Sequence, residues 1–120
     1  MICIYNYAKV KVKVKVYSNF ASTLFPMLNL KISADVLYKL EHKHGVIRGE
    51  IEQCFGNRTG QLLEDTREKH KTNPPTLWFL ACTNKLRLPK IVYIQIGDRV
   101  ELKSAFSPNK TEIDIYSRHG

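Results

Sequence analysis

Two segments near the end of the chain, PKIVYIQI and RVELKSAF, are separated only by Gly97-Asp98. A two-residue link cannot carry a crossover, so two strands so joined must be antiparallel neighbours in a tight hairpin. In the second segment Arg99, Glu101 and Lys103 alternate with Val100 and Leu102, which predicts one polar and one apolar face. Upstream, TLWFLACT is apolar almost throughout. It predicts a central strand buried on both faces, with Trp78 in the core. NKLRL is the expected turn between these strands, with Arg87 and Lys90 facing solvent. GQLLEDT supplies a fourth, short strand, and the polar stretch REKHKTNPP is a loop stopped by Pro74-Pro75.

Helical signals flank this meander. In SADVLYKLEHKHG, Ser33 is placed as an N-cap, Asp35 falls in the first turn and Gly45 provides a left-handed stop. Val36, Leu37 and Leu40 form its apolar side. In VIRGEIEQCFGN, Ile47, Ile51, Cys54 and Phe55 fall on one face at helical spacing. Near the end, Asn109 and Glu112 have capping-box spacing, with Ile113 and Tyr116 on the apolar side. This predicts a short C-terminal helix, with a fifth strand over EIDIY as the alternative. The expected fold is therefore α+β: two N-terminal helices packed on one face of a four-stranded antiparallel sheet, then a short C-terminal helix.

An apolar fraction of 43% and a charged fraction of 25% suit a folded domain. No apolar run is long enough to span a membrane, and the expected location is cytoplasmic. Cys3, Cys54 and Cys82 are odd in number and widely spaced, so reduced thiols are expected rather than a disulfide framework. The HKH at His42–His44 has no third ligand at a recognisable spacing, and neither metal nor cofactor is expected.

The net charge of +8 is unevenly spread. Lys9, Lys11, Lys13 and Lys15, interleaved with valines, give residues 1–26 four of those charges and no acid. The period-two alternation from Lys9 to Tyr17 is that of a strand. Residues 1–27 are read first as an N-terminal extension, strand-like or disordered, then as an added edge strand, and last as a basic arm. Residues 28–120 are read as a single domain.

The densest polar cluster is EDTREKHK, Glu64 to Lys71. His70 titrates near neutrality and suits proton transfer, Arg67 suits a phosphate fork, and Glu64 suits a base or an orienting group. Lys71, with Arg99 and Lys103 on the last strand, suits an RNA backbone. An ordinary solvated charge run is the alternative reading of the same residues. Tyr93 and Tyr116 could stack on bases, though their positions favour core packing.

Several strings together resemble the BrnT-type toxin family, small ribonucleases of bacterial toxin–antitoxin pairs with a RelE-like fold. They are KHGV (Lys43–Val46), the acid-bearing segment ending at Phe55, LEDTREKHKTNPPTLWFLACTN, and Ser104-Ala105 followed by Glu112 and Tyr116. The resemblance spans roughly residues 33–116 and does not reach residues 1–26. It implies a metal-independent endoribonuclease with RNA and a cognate antitoxin as partners. Phe106 stands where the family has an arginine after Ser-Ala, and PPTLW where an arginine usually precedes the second strand. Those departures leave a non-catalytic nucleic-acid binder or degenerate toxin as the alternative. LEDTRE and PPTLWF also resemble small bacterial proteins labelled ADP-ribosyl-dinitrogen reductase hydrolase, which implies a third reading, a small ADP-ribosyl-protein hydrolase.

Overall fold

A computed structural model describes residues 15–17, 29–67 and 72–120. The elements run β1 (Lys15–Tyr17), β2 (Asn29–Lys31), α1 (Ala34–Lys39), α2 (Arg48–Asn57), β3 (Leu62–Glu64), β4 (Thr76–Leu80), β5 (Lys90–Ile96), β6 (Arg99–Phe106) and α3 (Lys110–His119). All strands join one sheet in the order β1-β3-β4-β5-β6-β2. The architecture is α+β, as the sequence indicates.

The four expected strands form the centre of the sheet in chain order and pair antiparallel. The four-stranded count is corrected by two short edge strands. β1 pairs antiparallel with β3, matching Val16 with Leu63, and β2 pairs parallel with β6, matching Leu30 with Val100. Three residues are too few to show a period, which is why β2 leaves no pattern in the sequence. Of the lysine–valine alternation, Lys15–Tyr17 forms an edge strand, and Lys9–Val14 lie outside the described residues.

Local chemistry accounts for the turns and caps. Gly97 has φ +60°, and Leu86 is the sole non-glycine with positive φ among the described residues. A positive φ at the first central residue alone is that of a type II′ hairpin, whose twist matches its strands. Ser33 Oγ accepts the Val36 N–H at 3.3 Å, and Gly45 ends the first helical segment at φ +62°. Between them α1 widens into a π-helical turn, Leu40–His44. In α2, Glu50 Oε1 accepts the Ile47 N–H at 3.2 Å. Ile47 is thereby the N-cap and 55% exposed, a correction to its expected place on the buried face. Ile51, Cys54 and Phe55 are buried as expected.

β4 is buried along its whole length. Its odd residues face α2: the Phe55 ring meets Phe79 edge-on at 5.0 Å and Tyr93 at 5.2 Å. Trp78 points to the opposite face, where Tyr116 of α3 lies 5.7 Å away. Helices therefore cover both faces, rather than the single face expected. Tyr116 Oη donates to the Gln61 carbonyl at 2.8 Å. Gly60 permits this approach, since a Cβ there would stand 2.5 Å from that oxygen.

Cys82 is disulfide-bonded, which corrects the expectation of reduced thiols. Cys54 is free and buried. Burial, and then the Glu50 carboxylate, push its thiol up to about 12 from an ordinary 9.0. Burial likewise pushes the Tyr116 phenol up to about 12 from 10.0, against the opposing pull of Arg58. Both groups are raised in the folded state, so the unfolded chain loses their protons first. Their stabilising contribution is complete below pH about 9 and drains as pH rises toward 12. Unfolding free energy should fall there by on the order of 1.4 kcal/mol per pH unit for each group titrating. Urea titrations between those pH values measure the slope, and Cys54→Ala should leave only the Tyr116 share. A flat profile would show that neither group is held neutral.

Candidate functional site

The site forms where the start of β5, the end of β3 and the N-terminus of α3 converge on the Trp78 ring. Lys90 opens β5, paired with Leu80 on one side and Phe106 on the other. It is 6% exposed, a correction to its expected place in a solvent-facing turn. Its Nζ donates to Glu112 Oε2 and sits 4.6 Å from the Trp78 ring centroid and 5.6 Å from that of Phe106. A buried ammonium requires this kind of enclosure by a counter-charge and aromatic faces.

The counter-charge is positioned by a helix cap. Asn109 Oδ1 accepts the Glu112 N–H at 2.8 Å, and Glu112 Oε1 accepts the Asn109 N–H at 2.9 Å. This is the expected capping box, and the EIDIY strand alternative is set aside. One carboxylate thus closes the first turn of α3 with one oxygen and holds Lys90 with the other.

The third component follows β3. The Asp65 N–H donates to the Thr76 carbonyl at 2.8 Å, which ties the loop to β4. Arg67 folds back on Asp65 in a two-pronged contact, Nε to Oδ1 at 2.9 Å and Nη2 to Oδ2 at 2.7 Å. Burial opposes ionisation of Asp65. The hydrogen bonds and charge of Arg67, helped by Lys90, outweigh it and hold the carboxyl below its usual range. The same contact with Asp65 raises Arg67.

These groups line a cavity of about 250 Å³ bounded by Asp65, Arg67, Trp78, Lys90, Asn109 and Glu112, with Glu64 at its edge. A second cavity of about 480 Å³ shares Asp65, Arg67, Trp78 and Lys90 and continues over the β4–β5–β6 face to Thr76, Ser104 and Lys103. The charge changes along this path. Among the described residues, three carboxylates (Glu64, Asp65, Glu112) and two cations (Arg67, Lys90) line the first cavity, while one carboxylate (Asp65) and three cations (Arg67, Lys90, Lys103) line the second. Thr72 and Thr76 hydroxyls, 2.9 Å apart, add neutral hydrogen-bonding groups.

The sequence-predicted residues are partly gathered here. Glu64 and Arg67 reach the same cavity. His70 and Lys71 lie outside the described residues. The Arg67 fork is occupied by Asp65, a correction to its reading as an open phosphate fork. Arg99 is paired with Glu101 two residues along the same strand, Nη2 to Oε2 at 2.6 Å. Lys103 is exposed and continues the alternation of Arg99 and Glu101 against the buried Val100 and Leu102, which breaks only at Ser104. Ser104 pairs with Val92 and Leu102 with Tyr93, so Lys103 is the extra residue of a β-bulge. Tyr93 and Tyr116 are buried and present no face to a base. Arg87 is also corrected, since its guanidinium donates to the His44 and Gly45 carbonyls and closes the π-helical turn.

Sequence reasoning missed Lys90. Its signal was the two-residue spacing with Val92 and Ile94, a charge standing on an apolar strand face. Among the described residues no group of three His, Cys, Asp or Glu side chains is arranged to hold a metal ion, and no helix is long and apolar enough to cross a membrane. The chain matches no family model, no curated protein and no solved structure.

Proposed function

We propose that the protein binds single-stranded RNA across the β4–β5–β6 face and cleaves it without a metal ion, as the toxin half of a toxin–antitoxin pair. One observation carries this reading: a buried lysine and a hydrogen-bonded carboxylate share a solvent-open cavity with an arginine and an indole ring. Phosphodiester cleavage by the adjacent 2′-hydroxyl needs a proton acceptor and a cation beside the phosphorane. Glu112 is placed for the first role and Lys90 for the second. His70 and Lys71, in the segment joining Arg67 to Thr72, keep their readings as proton-transfer group and added charge, and with Glu112 as acceptor His70 takes the part of donor to the leaving oxygen. Phosphate replaces Asp65 on Arg67 when substrate enters. The basic end of the first helical segment, Lys39 to His44, is the proposed seat of an acidic antitoxin segment. Action in the cytoplasm belongs to the same reading and entails reduction of the Cys82 disulfide there.

The closed Arg67–Asp65 fork favours a second reading, a protein of this fold that binds nucleic acid without turnover. Incubation of RNA with the protein, with and without chelator, separates the two. Cleavage should persist under chelation and fall by about 100-fold or more in both Lys90→Met and Glu112→Gln, the range for loss of a proton-transfer or charge-stabilising group. Salt-dependent binding with no cleavage would establish the second reading. Undiminished cleavage by both variants, each with native circular dichroism, would overturn the assignment.

A further inference from the structure

A third cavity, of about 590 Å³, opens at the parallel junction of β2 and β6. Lys31, Arg48, Arg99 and Lys103 line it with a single carboxylate, Glu101, and the Ser33 hydroxyl stands at its rim. This surplus of three cations exceeds that of either cavity around Lys90. Two of the cations are held in place. Arg48 Nη2 donates to the Leu30 carbonyl at 2.8 Å, with Nε 3.5 Å from Glu52, and Arg99 is anchored by Glu101. Lys31 and Lys103 are exposed and make no hydrogen bond or ion pair among the described residues.

The register explains the spacing. Lys31 lies across from Glu101, and Asn29 across from Arg99. Arg99 and Lys103, four residues apart on β6, stand roughly 13 Å from each other along the strand. The cations therefore form a row along a strand edge, a shape suited to successive charges on a chain rather than to one compact anion. Lys103 joins this row to the β4–β5–β6 face, because it lines both cavities. The β-bulge falls at Lys103, where the two cavities meet.

We infer that the β2–β6 groove is a phosphodiester-backbone site that holds the RNA strand beyond the cleavage pocket, an inference that rests on the proposed RNA-directed function. The backbone leaves the Lys90 pocket, passes Lys103, and runs along Lys31, Arg99 and Arg48. Base identity plays no part, since the described residues of the groove offer charge and no aromatic ring.

Fluorescence anisotropy with labelled oligoribonucleotides of about 4 and about 14 nucleotides, lengths that bracket single-strand site sizes, tests this between about 50 and 200 mM salt. Lys31→Ala and Lys103→Ala should each lower the salt-dependence slope for the longer strand by about 0.7, and the double variant by about 1.4. Affinity of the double variant for the longer strand should fall about 10-fold or more, with a smaller loss for the shorter one. Both side chains are exposed, so neither change threatens the fold. Binding by the parent chain with an unchanged slope in the double variant would overturn the groove and leave the pocket standing. A reduced slope, together with cleavage that survives Lys90→Met and Glu112→Gln, would support the groove and overturn the pocket. A parent chain that binds neither strand would overturn both.

Discussion

Glu112→Ala is expected to destabilise the protein by about 4 kcal/mol, the range for removing one partner of a buried ion pair. The substitution removes the carboxylate bonded to the Lys90 ammonium and leaves it among Trp78, Phe106 and β5, with Asp65, already paired to Arg67, as a remaining negative charge nearby. It also strips the Asn109 N–H of its acceptor, adding a helix-cap loss of about 1 kcal/mol. Lys90→Met should cost somewhat less, because the Glu112 carboxylate retains the Asn109 N–H as a donor. The double variant Lys90→Met/Glu112→Leu should recover most of the loss, since apolar side chains of similar volume replace both charges. Urea unfolding of the two singles and the double gives the coupling directly. Single variants within about 1 kcal/mol of the parent would show that the pair is solvated rather than buried. A double variant as stable as the parent but inactive on RNA would show that the pair is retained for chemistry and not for folding.

Phe55→Ala should cost about 4 kcal/mol, the range for truncating a buried aromatic. Phe55 is 3% exposed and edge-on to both Phe79 and Tyr93, contacts worth about 0.5–1.5 kcal/mol each beyond area. It is the ring by which α2 meets two central strands, so its loss loosens the helix as well as opening a cavity. Against a total stability of roughly 5–15 kcal/mol, either of these substitutions brings the chain near its folding threshold. Urea midpoints and near-ultraviolet circular dichroism of Phe55→Ala and Phe55→Leu measure the effect. A midpoint for the alanine variant equal to that of the parent would mean that the three rings do not hold the layers together.

Features governed by short-range chemistry were legible in the sequence. Gly97-Asp98 specified the hairpin, Ser33 and Gly45 bounded the first helical segment, and Asn109 with Glu112 announced α3, because each needs only neighbours within a few residues. The unbroken apolarity of TLWFLACT likewise placed β4 at the centre. Most of what failed depended on partners distant in the chain, and Arg67 failed on a near one. Lys90 looked like a turn cation until Glu112, twenty-two residues on, was seen to neutralise it. Arg67 looked like an open fork, although Asp65 beside it was a ready acceptor. The bulge at Lys103 arises from pairing with β5 and has no local mark in RVELKSAF. β2 was invisible because its three residues form a strand only by leaning on β6.

The strand order has one further outcome. β1 and β2 follow each other in sequence, yet they occupy opposite margins of the sheet, five inter-strand spacings or roughly 24 Å apart. β1 covers the whole of β3, and β2 covers the first three residues of β6. The edges that β1 and β2 themselves present are each three residues long, too short to recruit another polypeptide readily. Without these two strands the margins would be β3 and all eight residues of β6, and an open strand of that length is a ladder on which a second molecule can stack. The two short strands thus shorten the open ladder at each side of the sheet.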